Sequence, residues 1–163
     1  MATTAARVQP LPNRKGSRPR TTDWAPHLQE DQNAPPAMLD ALIQRVFALP
    51  GVEERPTIVS APGARAIWLK DGEAAGPRDA FLGNREIGHF HPWDGSLHIS
   101  LPPDLAKQAV TAGWAEVHPV ARAGMAPENV VMLYGPRDEG EVGVLAALIA
   151  SAVRRASGAD ATV

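Results

Sequence analysis

His89-Phe90-His91-Pro92-Trp93-Asp94-Gly95-Ser96-Leu97-His98 is the stretch on which the organisation of this chain turns. Asp-Gly is a favoured hairpin turn because both residues tolerate positive φ. Here it separates a run from Phe81 to His91 from a second run from Ser96 to Leu101. Side chains alternate across a strand, so His89 and His91 point to one face. With a four-residue turn at 92–95, His91 pairs with Ser96 and His89 with His98. With a turn of only Asp94-Gly95, His91 pairs with His98 and His89 with Ser100. Both registers place all three imidazoles on one face, because cross-strand partners share a side. Phe90, Leu97 and Ile99 then face the other way, toward a core. A three-residue turn would throw His98 to the far side.

The surrounding segments supply that core. Pro35-Pro36 suits a helix start, since first-turn amides have no intrahelical partner to lose. Leu39, Leu42, Ile43, Val46, Phe47 and Leu49 then recur at helical spacing until Pro50-Gly51. Thr57 to Ser60 and Arg65 to Leu69 read as strands joined by Ala61-Pro62-Gly63, followed by a loop from Lys70 to Asp79. Leu105, Ala109 and Val110 predict a helix over 103–113, and Val130 to Leu133 a buried strand. Asp138 with Glu141 makes a capping-box-like helix start. Val142, Leu145, Leu148, Ile149 and Val153 form its apolar stripe, with Arg154 and Arg155 at the negative end of the dipole. Trp68 and Trp114 are assigned to the core. The expected fold is α+β: an antiparallel β-sheet with helices packed on one face.

A chain of 163 residues suits one domain. With no cysteine, disulfide frameworks, zinc fingers, iron–sulfur sites and thiol nucleophiles are excluded. The longest apolar run, Val142 to Val153, is too short to span a bilayer, and the N-terminus lacks the apolar core of a secretory signal. A soluble, cytoplasmic protein without a membrane partner is expected. Charge is uneven: Arg7, Arg14, Lys15, Arg18 and Arg20 face no acid up to Thr22, whereas 11 basic and 18 acidic residues follow from Asp23 onward. Residues 1–34, without apolar periodicity, read as a disordered basic tail. The domain is expected over 35–157, and residues 158–163 as a disordered end. A basic arm can touch nucleic acid, but the acidic body makes nucleic acid an unlikely partner for the domain. A small molecule is the expected ligand.

Chemistry concentrates in the histidines, at 27, 89, 91, 98 and 118. His89, His91 and His98 are the candidate catalytic residues. Three neutral imidazoles also suit a divalent Zn, Fe, Ni or Cu ion and leave coordination positions open, so the same three are candidate metal ligands. Asp94, Glu86 and Glu116 can complete such a shell or orient an imidazole. Alternatively the cluster binds an anion or performs acid–base work without metal, or consists of ordinary polar residues on a half-exposed sheet. Arg85 shares strand parity with His89 and can meet a substrate carboxylate or phosphate. Trp93 can wall a pocket, and Ser96 shares the histidine face beside Asp94. Glu116 and His118 share one parity if their segment is extended. These six are the candidate substrate contacts. No Walker loop, dinucleotide fingerprint, G-x-S-x-G elbow or H-E-x-x-H helix is present. Gly83 followed by His89-Phe90-His91 opens like a cupin metal motif, but the Glu that should follow is absent, which excludes that reading.

At Gly88-His89-Phe90-His91-Pro92 and Asp94-Gly95-Ser96-Leu97-His98 the chain resembles the bacterial and fungal luciferase-domain family. Gly113-Trp114-Ala115-Glu116, His118-Pro119 and Met132-Leu133-Tyr134-Gly135-Pro136-Arg137-Asp138 continue the resemblance, which runs from about Pro36 to Val153. Trp93 departs from it as an extra residue between Pro92 and Asp94. The family name implies oxygen-dependent light emission. Two function classes follow: a small-molecule enzyme, oxygenase-like or metal-dependent, working through the hairpin histidines, or a non-catalytic ligand- or partner-binding module.

Overall fold

The structure is a computed structural model that describes residues 10–159. Helix α1 (Pro36–Phe47) leads into strands β1 (Val52–Pro56), β2 (Arg65–Leu69), β3 (Glu86–Phe90) and β4 (Leu97–Ser100). Then follow α2 (Pro103–Thr111), β5 (Ala115–Val117), the single turn α3 (Pro119–Arg122), β6 (Val130–Leu133) and α4 (Glu139–Ala156). The six strands form one sheet in the order β1-β2-β3-β4-β6-β5, and every neighbouring pair is antiparallel. This is the α+β architecture expected, with α1 and α4 packed together on one face.

Parity across the sheet sorts the residues. Ile67, Ile87, Phe90, Leu97, Ile99, Val131 and Leu133 meet Leu42 and Val46 of α1 and Leu145, Leu148 and Ile149 of α4 in one apolar core. On the opposite face, cross-strand partners form a single row: Arg55, Ala66, His89, His98, Met132 and Glu116. His89 pairs with His98, and the His91 amide donates to Ser96 O at 2.8 Å, so the turn is the four-residue one. Gly95 closes it at φ +86, where an added Cβ would also come within 2.3 Å of Ala34 Cβ.

Three local expectations change. Thr57–Ser60 is not a strand; β1 ends at Pro56, whose partner Arg65 is the last residue available to pair with it. Thr57 Oγ1 and the Ile58 amide instead donate to Glu86, at 2.9 and 3.0 Å. Trp68 lies outside the helix-covered core, with the Arg55 guanidinium stacked 5.3 Å from its ring centroid, whereas Trp114 joins the core. The 1–34 segment does not behave as a free tail over its described part. From Pro10 to Ala34 it runs as a strap against the histidine face, burying Arg14, His27 and Gln29. Residues 1–9 and 160–163 lie outside the described residues.

The strap is held by polar contacts rather than by an apolar stripe. Arg14 N donates to Ala112 O at 2.8 Å, and Trp114 Nε1 to Pro12 O at 2.6 Å. Arg18 donates to the carbonyls of Ala115 and Val110. The Gln29 amide donates to Asp94 Oδ2 at 3.0 Å, while Gln29 Oε1 accepts from the buried Gly135 amide at 2.9 Å. Gln29→Ala should therefore lower stability by about 1–3 kcal/mol, because the Gly135 donor is left buried and unpaired. Urea unfolding measures this, and a change within error would show that the strap is not docked.

Helix α4 carries the expected cap: the Glu141 amide donates to Asp138 Oδ1 at 2.8 Å. The Glu141 carboxylate reaches back to the Arg137 amide and guanidinium. Burial alone would raise the Glu141 pKa, but these bonds and the Arg137 charge outweigh it and lower it. A depressed carboxyl pKa contributes stability above its unfolded value that is lost as pH falls through the folded one. Glu141→Gln should flatten the acid limb of a melting-temperature profile below about pH 4.5.

Candidate functional site

The histidine face forms the floor of a cavity of about 990 Å³. His89, His91, His98, His118 and His27 all line it, and its remaining wall is mostly apolar, with Phe81, Leu82, Val59, Pro62, Val120 and Trp93. Strand parity delivers His89, His91 and His98. His118 stands just past β5 as the cap of α3, and His27 arrives on the strap beside a cis Ala25–Pro26 bond. The rings pack closely: His91 and His98 centroids are 4.5 Å apart, His98 and His118 4.4 Å, and His27 stacks on His98 at 5.1 Å. Trp93, 44% exposed at the mouth, stacks on His91 at 5.2 Å.

Behind the floor, acceptors orient the rings. Glu86, wholly buried, accepts from Thr57 Oγ1 and the Ile58 amide, and its Oε1 stands 2.9 Å from His89 Nδ1. A carboxylate accepts only, so His89 carries its proton on Nδ1 and leaves Nε2 bare. Ser96 Oγ donates to Asp94 Oδ1 at 2.7 Å, which commits its hydroxyl proton. It therefore accepts from His91 Nδ1 at 2.9 Å, and Nε2 of His91 is bare as well. Glu116 Oε2, 3.1 Å from His27 Nε2, fixes that ring with a bare Nδ1. His118 is the reverse case: Nδ1 accepts from the Val120 amide at 3.1 Å, so its neutral ring presents Nε2–H.

Burial chiefly, with the neighbouring imidazoles His89, His27 and His118 adding to it, pushes His91 down to about 3. Burial and the flanking histidines also hold His98 well below 6.5. His118 falls to about 4 through burial, His27, His89 and Arg122, against an opposing pull from Glu116. At neutral pH these three rings are uncharged. Burial would raise Glu116, but hydrogen bonds from His27, Thr21 and Tyr134 bring it below the ordinary carboxyl value. Burial first, then Glu116, drives Tyr134 up to about 12 against the lowering effect of Arg18.

Of the residues singled out from sequence, His89, His91, His98, His118 and Trp93 share the cavity. Asp94 and Ser96 sit behind His91, and Glu116 behind His27, so they orient rings rather than face the cavity. Arg85 is elsewhere: its guanidinium donates to the carbonyls of Leu69, Lys70 and Glu73. The cause is a bulge between β2 and β3, where Ile67 pairs with Gly88 but Trp68 pairs with Glu86. The extra residue, Ile87, turns into the core and reverses parity beyond it. Glu86, not Arg85, thus shares the face of His89. His27 is the cluster member that sequence reasoning left in the tail. Its signal was faint: a histidine after Pro26 in a segment without periodicity.

Comparison with known proteins points one way. Residues 84–152 match the family model for the luciferase domain. The chain is 30% identical over 161 residues to proteins named luciferase from Armillaria mellea and Armillaria gallica, covering 88% of this chain and 60% of each relative. A luciferase from Neonothopanus nambi is 33% identical over 72 residues, 42% of this chain and 27% of its own length. The chain thus spans about three fifths of the length of the first two relatives. No solved structure matches it. The matched segment runs from β3 through the histidine hairpin into α4, so it contains His89, His91, His98 and His118 of the cavity floor, whereas His27 on the strap lies outside it. Residues 84–152 thus carry the luciferase-domain pattern, within a longer stretch of this chain that is similar to these luciferases.

Proposed function

We propose that the protein is a small-molecule enzyme that brings an apolar, hydroxyl-bearing aromatic substrate together with dioxygen. The observation that carries this reading is the convergence of five histidines on the floor of one largely apolar cavity. Its volume is at the upper end of the usual range for small-ligand sites, roughly 300–1,000 Å³. Trp93 and Phe81 supply flat surfaces for an aromatic ring, and His118 Nε2–H is a donor for a substrate oxygen. The relatives' name, luciferase, supports oxidation by dioxygen as the reaction class. Light emission belongs to those proteins and is one of the outcomes to be measured for this one. Among the described residues no helix is long and apolar enough to cross a membrane, and a cytoplasmic setting is part of the proposal.

The low proton affinity of His91, His98 and His118 shapes the mechanism. An imidazole with a pKa of about 3 is a weak base at pH 7. The rings therefore act through hydrogen bonds and lone-pair donation rather than by holding a proton through turnover. Their neutrality also lets an apolar substrate approach without displacing a strongly hydrated charge.

Oxygen uptake and photon counting with a panel of hydroxylated aromatic compounds test the proposal. At least one compound should drive uptake above buffer, and His98→Ala should lower kcat about 100-fold or more. Saturable binding without uptake, altered by the same substitution, would instead make the protein a binding module. Trp93→Ala should raise KM about three- to tenfold with little change in kcat, since a stacked aromatic contact contributes about 0.5–1.5 kcal/mol.

A further inference from the structure

The lone pairs on the cavity floor do not balance. His98 lies between two nitrogens that are both bare: its Nδ1 is 3.2 Å from His89 Nε2, and its Nε2 is 2.9 Å from His27 Nδ1. Glu86 fixes the first of these neighbours and Glu116 the second. A neutral His98 has one proton for two acceptors, so one contact sets lone pair against lone pair. Both contacts lie within hydrogen-bond range, and the one to His27 is the shorter. His98 Nε2–H therefore donates to His27, and three bare nitrogens remain: His89 Nε2, His91 Nε2 and His98 Nδ1.

We infer that His89, His91 and His98 hold one divalent first-row transition-metal ion, with Glu86 and the Ser96–Asp94 pair as its positioning residues and His118 as a donor beside it. One ring nitrogen from each of the three lies within 4.8 Å of the other two. Two imidazole nitrogens bound to one ion at about 2.0–2.1 Å with near-tetrahedral angles stand about 3.3–3.4 Å apart, close to the 3.2 Å between His89 Nε2 and His98 Nδ1. The backing acceptors suit a histidine metal site: Glu86 and Ser96 Oγ take the remote protons of His89 and His91, and His27 Nδ1 that of His98, so each lone pair turns inward. Three ligands leave positions open toward the cavity for water or a substrate oxygen.

His27, His98 and His118 form a second triplet of the same span. It lacks a lone pair, because the Val120 amide on Nδ1 keeps the His118 proton on Nε2. The geometry thus chooses between two triplets that distance alone leaves equal.

The inference rests on the same cluster as the proposed reaction, but its test reads metal instead of turnover, so either can fail alone. Full-length protein is stripped with chelator, dialysed and titrated with Co²⁺. Expected are one equivalent per chain, visible d–d bands of a low-coordinate site, and three paramagnetically shifted exchangeable ring N–H proton resonances, from His89, His91 and His98. Absence of stoichiometric binding, or fewer such resonances, overturns the assignment without any variant. In folded variants, checked by circular dichroism, His89→Ala and His91→Ala should abolish binding and His118→Ala should keep it; the reverse pattern overturns the assignment. Glu86→Gln should weaken Co²⁺ binding about 10- to 100-fold while His91 and His98 still bind; unchanged affinity would remove Glu86 from the site.

Discussion

The pairing of His89 with His98 across β3 and β4 is the constraint on which the rest of the molecule depends. Strand alternation then allows no freedom. One face of the hairpin must be imidazole and the other Phe90, Leu97 and Ile99. The apolar side recruits α1 and α4, and their burial leaves the histidine side without a helical cover. Something polar has to close that side, because buried imidazoles, carboxylates and turn amides need partners. The strap does so. Asp94 is the joint between the two arrangements: it accepts from Ser96 within the hairpin and from the Gln29 amide on the strap, while its own carbonyl accepts from the Ala34 amide.

This division of labour explains why the site has the character it does. A sheet face covered by helices is apolar throughout, whereas one covered by an irregular strap retains polar groups and a cavity among them. In that cavity desolvation and mutual repulsion keep His91, His98 and His118 uncharged. A proton is poorly held there, yet the lone pairs remain. Those of His89 and His91 are turned inward by a carboxylate and a hydroxyl that accept the other ring proton. Such an arrangement favours coordination and hydrogen bonding to a neutral ligand over acid–base work by free imidazolium.

Much of the fold was legible because it follows from periodicity. The helices at Pro36–Phe47, Pro103–Thr111 and Glu139–Ala156 and the strand at Val130–Leu133 announce themselves by apolar spacing and terminal signals. Within the site, His89, His91 and His98 were legible for the same reason, since parity holds through any even-length turn. Arg85 and Glu86 were not. The exchange of their faces comes from one bulged residue, Ile87, and a bulge leaves no mark in an alternation count. The strap was invisible for a different cause. It is ordered by side-chain and backbone hydrogen bonds to distant carbonyls, as Arg14, Arg18 and Gln29 show, and such partners have no period in the sequence.

By itself the sequence determined that any metal site must be built from histidine and carboxylate, because the chain has no cysteine. It also determined that His89 and His91 share one strand face, joined by His98 across any even-length turn, because alternation is a local property of the backbone. Only the tertiary structure decided which nitrogens are free. That depends on Glu86 turned by a bulge, on Ser96 held by Asp94, and on His27 and Glu116 brought together from positions 89 residues apart. A tautomer is set by the partner on the opposite side of the ring, and that partner is a matter of packing, not of sequence neighbours.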